Sequence, residues 1–140
     1  MSLELIESLV HNSEGYNPFL IRDGWQVAQL NYMPSLDPEA ITRIELHRQT
    51  DEVFILIHGE AVLIACELTK DGFVFQCIRL EMGAVYNIPV NVWHNIAMNR
   101  DARLIIVERS NTHLDDVIYH SLTATEIQVL KDEIEWALQP

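Results

Sequence analysis

Eight short runs rich in β-branched and aromatic residues follow one another through the middle of the chain, with no helical pattern between them. They are 25–32 WQVAQLNY, 41–47 ITRIELH, 52–57 EVFILI, 61–67 AVLIACE, 73–80 FVFQCIRL, 84–88 AVYNI, 94–98 HNIAM and 103–108 RLIIVE. Turn signals separate them: Pro34 to Pro38, His58-Gly59, Lys70-Asp71-Gly72, Met82-Gly83, Pro89 to Asn91 and Asn99 to Ala102. Period-two runs of this length, closely spaced and bounded by Gly, Pro and Asn, read as antiparallel strands. So many strands without crossover helices fold as a small sandwich or barrel.

The two ends read differently. In 3–11, LELIESLVH, Leu3, Ile6 and Val10 share one helical face and Leu5 and Leu9 widen it, which predicts a short N-terminal helix. Thr123 and Glu126 have capping-box spacing, in which the hydroxyl and the carboxylate each take a free amide at a helix start. Ile127, Leu130, Ile134 and Leu138 follow at helical intervals, which predicts a helix over 124–138. No repeat or linker interrupts the pattern, so residues 1–140 are expected to form one domain, with the barrel core at about 25–108.

Composition narrows the partners. The chain has 140 residues and is 49% hydrophobic, which is ample for a core. Its 21 acids against 9 bases give a formal net charge of −12. Such a surface repels phosphate backbones and anionic lipids, so neither nucleic acid nor membrane is expected as a partner. No apolar run approaches the ~20 residues needed to cross a bilayer, and acids stand where a signal peptide would carry bases. A cytoplasmic location is the expectation. Cys66 and Cys77 are then expected as reduced, packed thiols.

On a strand, alternate residues share a face. In ITRIELH that places Arg43, Glu45 and His47 together, with Ile44 and Leu46 behind them. A turn at 48–51 brings in Glu52 at the head of the next strand. Downstream, GAVYNIPVNVWHNIAM delivers His94 after the Pro89–Val92 turn. If that strand lies beside the first, Glu45, His47, Glu52 and His94 converge.

These segments resemble the two motifs of the small single-domain cupins, Gly-x5-His-x-His-x3,4-Glu-x6-Gly and Gly-x5-Pro-x-Gly-x2-His-x3-Asn. Here they read Glu45-x-His47-x4-Glu52-x6-Gly59 and Gly83-x5-Pro89-x-Asn91-x2-His94-x3-Met98. The resemblance covers about residues 25–108 and implies an all-β double-stranded β-helix, or jelly-roll, barrel with short terminal helices. The departures are specific. Glu39 stands at the opening glycine, Glu45 at the first His, Asn91 at the second motif's last Gly and Met98 at its Asn. Asn in place of Gly is mild, because Asn tolerates left-handed backbone angles. Glu in place of His changes the donor set.

Cupins usually hold a divalent ion through three His and one Glu, so the resemblance implies a metal centre at His47, Glu52 and His94. The ion would be zinc, iron, manganese or nickel, with Glu45 as a fourth ligand. Two imidazoles and two carboxylates suit zinc, iron or manganese and leave a formally neutral site around a dication. Alternatively Arg43 pairs with Glu45 and withdraws it. Without a cation the two carboxylates repel, and one tends to take up a proton.

The resemblance further implies a small polar ligand, a sugar or carboxylic acid, with isomerase, lyase and oxygenase chemistry all compatible. Arg43 would steer an anionic group and Tyr86 would position the ligand. The alternative is a ligand-binding or sensory cupin without catalysis, with or without metal; a third reading is a sealed, structural barrel. Phe54 and Leu56 are expected as core. The parity of Glu108 leaves open whether it enters the barrel or ends its strand in solvent. His11, His58, His113 and His120 match no motif and are read as surface or packing residues. The apolar face of Ile44, Leu46, Val53, Ile55 and Ile57, opposite the ligands, needs cover, and a homodimer through it is expected, as cupins commonly form.

Overall fold

A computed structural model describes residues 5–140. Ten strands form two five-stranded sheets among these residues. The first contains β1 (Gly15–Arg22), β2 (Trp25–Asn31), β4 (Glu52–His58), β7 (Val85–Ile88) and β9 (Arg103–Glu108), in the order β1-β2-β9-β4-β7. The second contains β3 (Arg43–Leu46), β5 (Ala61–Thr69), β6 (Gly72–Arg79), β8 (Trp93–Met98) and β10 (Ile118–Ser121), in the order β10-β3-β8-β5-β6. Every pairing within the sheets is antiparallel. The helices are the single turn α1 (Thr112–Asp115) and α2 (Ala124–Leu138).

Alternation decides what faces inward. On β4 and β9 it is Phe54, Leu56, Leu104 and Ile106 that meet Leu63, Ile96 and Met98 of the other sheet. Burying each such side chain contributes roughly 1.5–3 kcal/mol, so this inter-sheet core carries much of the stability. A second core lies outside the second sheet, where Leu130 and Ile134 of α2 cover Ile44, Val62, Ile64 and Ala97. The helix begins as its sequence predicts. Glu126 N–H donates to Thr123 Oγ1 at 3.2 Å, and Thr123 N–H donates to Glu126 Oε1 at 2.9 Å.

Several expectations are corrected. Residues 5–11 are not helical; Leu3 and Glu4 lie outside the described residues. A helix this short is marginal without a surface to pack on, and Leu5, Ile6 and Val10 find none. Instead Gln29 and Asn31 side-chain amides donate to the His11 carbonyl at 3.0 Å each, and Asn31 also donates to Ser13 O at 2.8 Å, tying the end of the segment to β2. β1 and β10 were not expected. β1 carries Pro18 on an edge strand whose register shifts between Asn17 and Leu20, a position that tolerates a missing N–H. The apolar residues on which a homodimer is expected are divided between the two sheets. Ile44 and Leu46 are buried on the second sheet, Ile44 under α2. Val53 and Ile55 stay half-buried and Ile57 exposed on the first.

Candidate metal centre in the barrel

Strand pairing brings the four predicted ligands together. Glu45 on β3 pairs directly with His94 on β8, His47 follows at the end of β3, and Glu52 opens β4 on the facing sheet. One donor atom from each of Glu45, His47, Glu52 and His94 lies within 4.8 Å of the others. The two sheets thus close on each other through this cluster.

The hub is Glu52 Oε1, at 2.8 Å from His47 Nε2 and 2.8 Å from His94 Nε2. Glu45 Oε1 stands 3.7 Å from His94 Nε2 and 4.0 Å from His47 Nε2. The outer nitrogens are held by the backbone: His47 Nδ1 lies 2.6 Å from Asp116 O and His94 Nδ1 2.9 Å from Val92 O. A carbonyl oxygen only accepts, so both Nδ1 atoms carry hydrogen, and both Nε2 atoms turn toward the carboxylates. This is the tautomer that backbone carbonyls enforce on metal-ligating imidazoles. An Nε2 lone pair facing a carboxylate oxygen at 2.8 Å attracts it only through a proton or a metal cation, so the donor set fits a dication.

Charge follows the same geometry. Burial alone would strip the proton from His47, but the Glu52 hydrogen bond and charge outweigh it and carry the imidazole up to about 9. His94 is raised by the same balance. Glu52 would be raised by its burial, yet the hydrogen bonds from His47 and His94 bring it down to about 2. Glu45 is raised, first by burial and then by the Glu52 charge. It behaves as the carboxylate that lacks a close partner.

Local structure explains why these atoms stay in place. Asp116, itself buried, accepts the amides of Arg48 and Gln49 at 2.9 Å each, fixing the turn between His47 and Glu52. Asn91 N–H donates to His47 O at 2.8 Å with the Asn91 φ at +63°. That left-handed angle is why Asn serves at a position where the resembling motif has Gly.

The cluster lies in a cavity of about 440 Å³ between the sheets. Arg43 is at its wall but makes no ion pair with Glu45 among the described residues. Its guanidinium sits over the Tyr119 ring, 3.8 Å from the centroid. Tyr86 is not on the cavity wall: it packs against the inter-sheet core, and its hydroxyl accepts the Glu81 N–H at 2.9 Å. The tyrosines that do reach the cavity are Tyr16 and Tyr119.

Glu108 enters the barrel. Carrying the β4–β9 register one residue past the Val53–Val107 pair sets it beside Glu52, and it pairs with Gln26 on the other side. Its Oε1 accepts from the Tyr16 hydroxyl at 2.7 Å and from Gln26 Nε2 at 3.2 Å. His113 completes the group, its Nδ1 3.2 Å from Gln26 Nε2. Burial, then the Glu52 charge, push Glu108 up to about 7, and burial raises Tyr16 far above the ordinary phenol range. Tyr16 went unnoticed in the sequence because β1 did, whereas Gln26 was passed over inside a run that the sequence does predict as a strand. The cue for Gln26 was its inward parity on β2, where it is fully buried.

No protein-family model and no curated protein matches the sequence. Solved structures do resemble it. A cupin-2 domain containing protein from Shewanella frigidimarina NCIMB 400 aligns with a TM-score of 0.50 at 20% identity, over 71% of this chain and 84% of that one. KdgF from Halomonas sp. gives 0.51 at 15%, over 69% and 79%, and Streptomyces PAC13, solved with uridine, gives 0.54 at 8%, over 81% and 84%. At these identities the likeness establishes the fold, a cupin jelly roll in two antiparallel sheets.

Proposed function

We propose that this cupin barrel is a metal-dependent protein for a small polar metabolite, with the ion held by His47, Glu52, His94 and Glu45. One observation carries the reading: backbone carbonyls fix both imidazoles so that their Nε2 atoms, coming from two neighbouring strands of one sheet, converge on Glu52 Oε1 of the facing sheet. A bound dication supplies a positive centre that polarises a ligand oxygen. The chain's own residues do the rest. His94 and Glu52 are almost wholly shielded from solvent, which strengthens every charge interaction in the chamber. Leu30, Phe54 and Ile106 give one apolar wall, and Arg43 stands at the wall as its cationic group. With Arg43 stacked on Tyr119, Glu45 is left to the cluster.

A second reading draws support from the same contacts. The His47–Glu52–His94 triad satisfies itself through protons alone, as a metal-free ligand-binding barrel would require. Elemental analysis of protein purified without added metal separates the two. On the metal reading, wild type carries close to one divalent ion per chain. His94→Ala is then expected to carry less than about a tenth of that, and Glu45→Ala to retain ion with roughly ten- to hundredfold weaker affinity, the range for loss of one metal-supporting group. Wild-type metal content in His94→Ala contradicts the assignment.

A further inference from the structure

Glu108 is held by one oxygen only. Tyr16 and Gln26 both donate to Oε1, while Oε2 is buried without a hydrogen-bond partner. The residue is 6% exposed and lines the cavity that holds the His/Glu cluster. An unpartnered carboxylate oxygen is costly when buried, so a chain retains one where something else completes it. With Oε1 taken by two donors, Oε2 is the oxygen left to carry any proton.

We propose that Glu108 Oε2 is a specificity-determining contact that takes a hydroxyl group of the ligand, selecting small neutral polyhydroxy compounds over dicarboxylates. This rests on the cluster being the site where the ligand's other oxygens lie. The charges argue for it. Of the three carboxylates around the chamber, Glu45 and Glu52 are balanced by the imidazoles or by a bound dication, and Glu108 stands outside that balance. Arg43, the one Lys or Arg on its wall among the described residues, is exposed and engaged with Tyr119. A ligand's far carboxylate would meet Glu108 as a like charge. A hydroxyl both donates and accepts, so it suits Oε2 whether Glu108 is ionised or protonated. The groups facing Glu108 are Tyr16 from β1, Gln26 from β2 and Glu52 from β4, with His113 from α1 behind Gln26. Among the described residues, none of them donates to Oε2.

The test is ligand-observed NMR on the metal-assayed protein, with glycerol, D-arabinose, D-glucose and myo-inositol against malonate and succinate. A neutral hydroxyl compound is expected to bind wild type. Glu108→Leu should weaken it at least about tenfold, the size of a lost hydrogen bond to a charged group, with metal content unchanged. Glu108→Gln keeps an acceptor for Tyr16 and offers a donor in place of Oε2, so a smaller loss is expected. It also reads the contact if the leucine variant does not fold. Binding of dicarboxylates alone, binding of none of the neutral compounds, or hydroxyl binding that both variants leave intact overturns the proposal. Absence of metal from wild type instead overturns the metal reading, while Glu108-dependent binding remains measurable by itself.

Discussion

Gly59→Ala is expected to lower the stability of the chain by about 4 kcal/mol. A methyl group built on Gly59 would stand 2.6 Å from Ala102 Cα, 2.7 Å from Ala102 N and 2.8 Å from Asp101 C. These are backbone atoms of the neighbouring turn, and they cannot swing aside as a flexible side chain would. Gly59 also has φ at +76°, where a side chain costs roughly 1–2 kcal/mol by itself, and forcing the turns apart adds about 1–3 kcal/mol. The turns are tied together: Asn99 N–H donates to Glu60 O at 3.1 Å, and Glu60 N–H to Asn99 Oδ1 at 3.1 Å. Gly83→Ala is the control. Its φ is +81° but nothing lies within 4 Å of the added methyl, so it should cost only about 1–2 kcal/mol. Urea unfolding with an unchanged slope measures both, and equal losses at the two glycines would show that contact with Ala102 is not what matters.

The second large effect separates the two acidic ligands. In protein treated with EDTA, Glu52→Ala should lose about 3 kcal/mol, because it removes the one anion that two buried imidazoles share. Glu45→Ala should lose almost nothing under the same conditions, since Glu45 has no atom closer than 3.7 Å to either imidazole nitrogen and is repelled by Glu52. Urea unfolding at pH 7 checks the pair. Similar losses for both would mean that the carboxylates are equivalent partners, contrary to the geometry.

Much of this arrangement was legible in the chain. Period-two alternation with Gly, Pro and Asn between the runs identifies the central strands, because a strand that buries one face must alternate. The capping box places α2 to the residue, since its two reciprocal bonds are local. The ligand cluster was legible through parity: Glu45 and His47 share a face whatever the tertiary structure. What local pattern cannot carry is the choice made by distant partners. The 5–11 segment has a helical stripe, but its apolar residues find no surface to pack on and Gln29 and Asn31 take the His11 carbonyl at its end. β1 contains Pro18 and an irregular register, so it lacks a clean alternation and is recruited by pairing with β2. With β1 unseen, Tyr16 and its hold on Glu108 were unseen too. Tyr86 has the inward parity of a ligand contact, yet the Glu81 amide takes its hydroxyl.

The convergence of His47, Glu52 and His94 on one ion is tested most directly by a crystal structure of protein loaded with Zn2+, with anomalous scattering recorded at the zinc edge. The account predicts one strong peak per chain, roughly 2.0–2.2 Å from both Nε2 atoms and a Glu52 carboxylate oxygen. A map with no peak between those three side chains, while both imidazoles still rest on Glu52 Oε1, would contradict it.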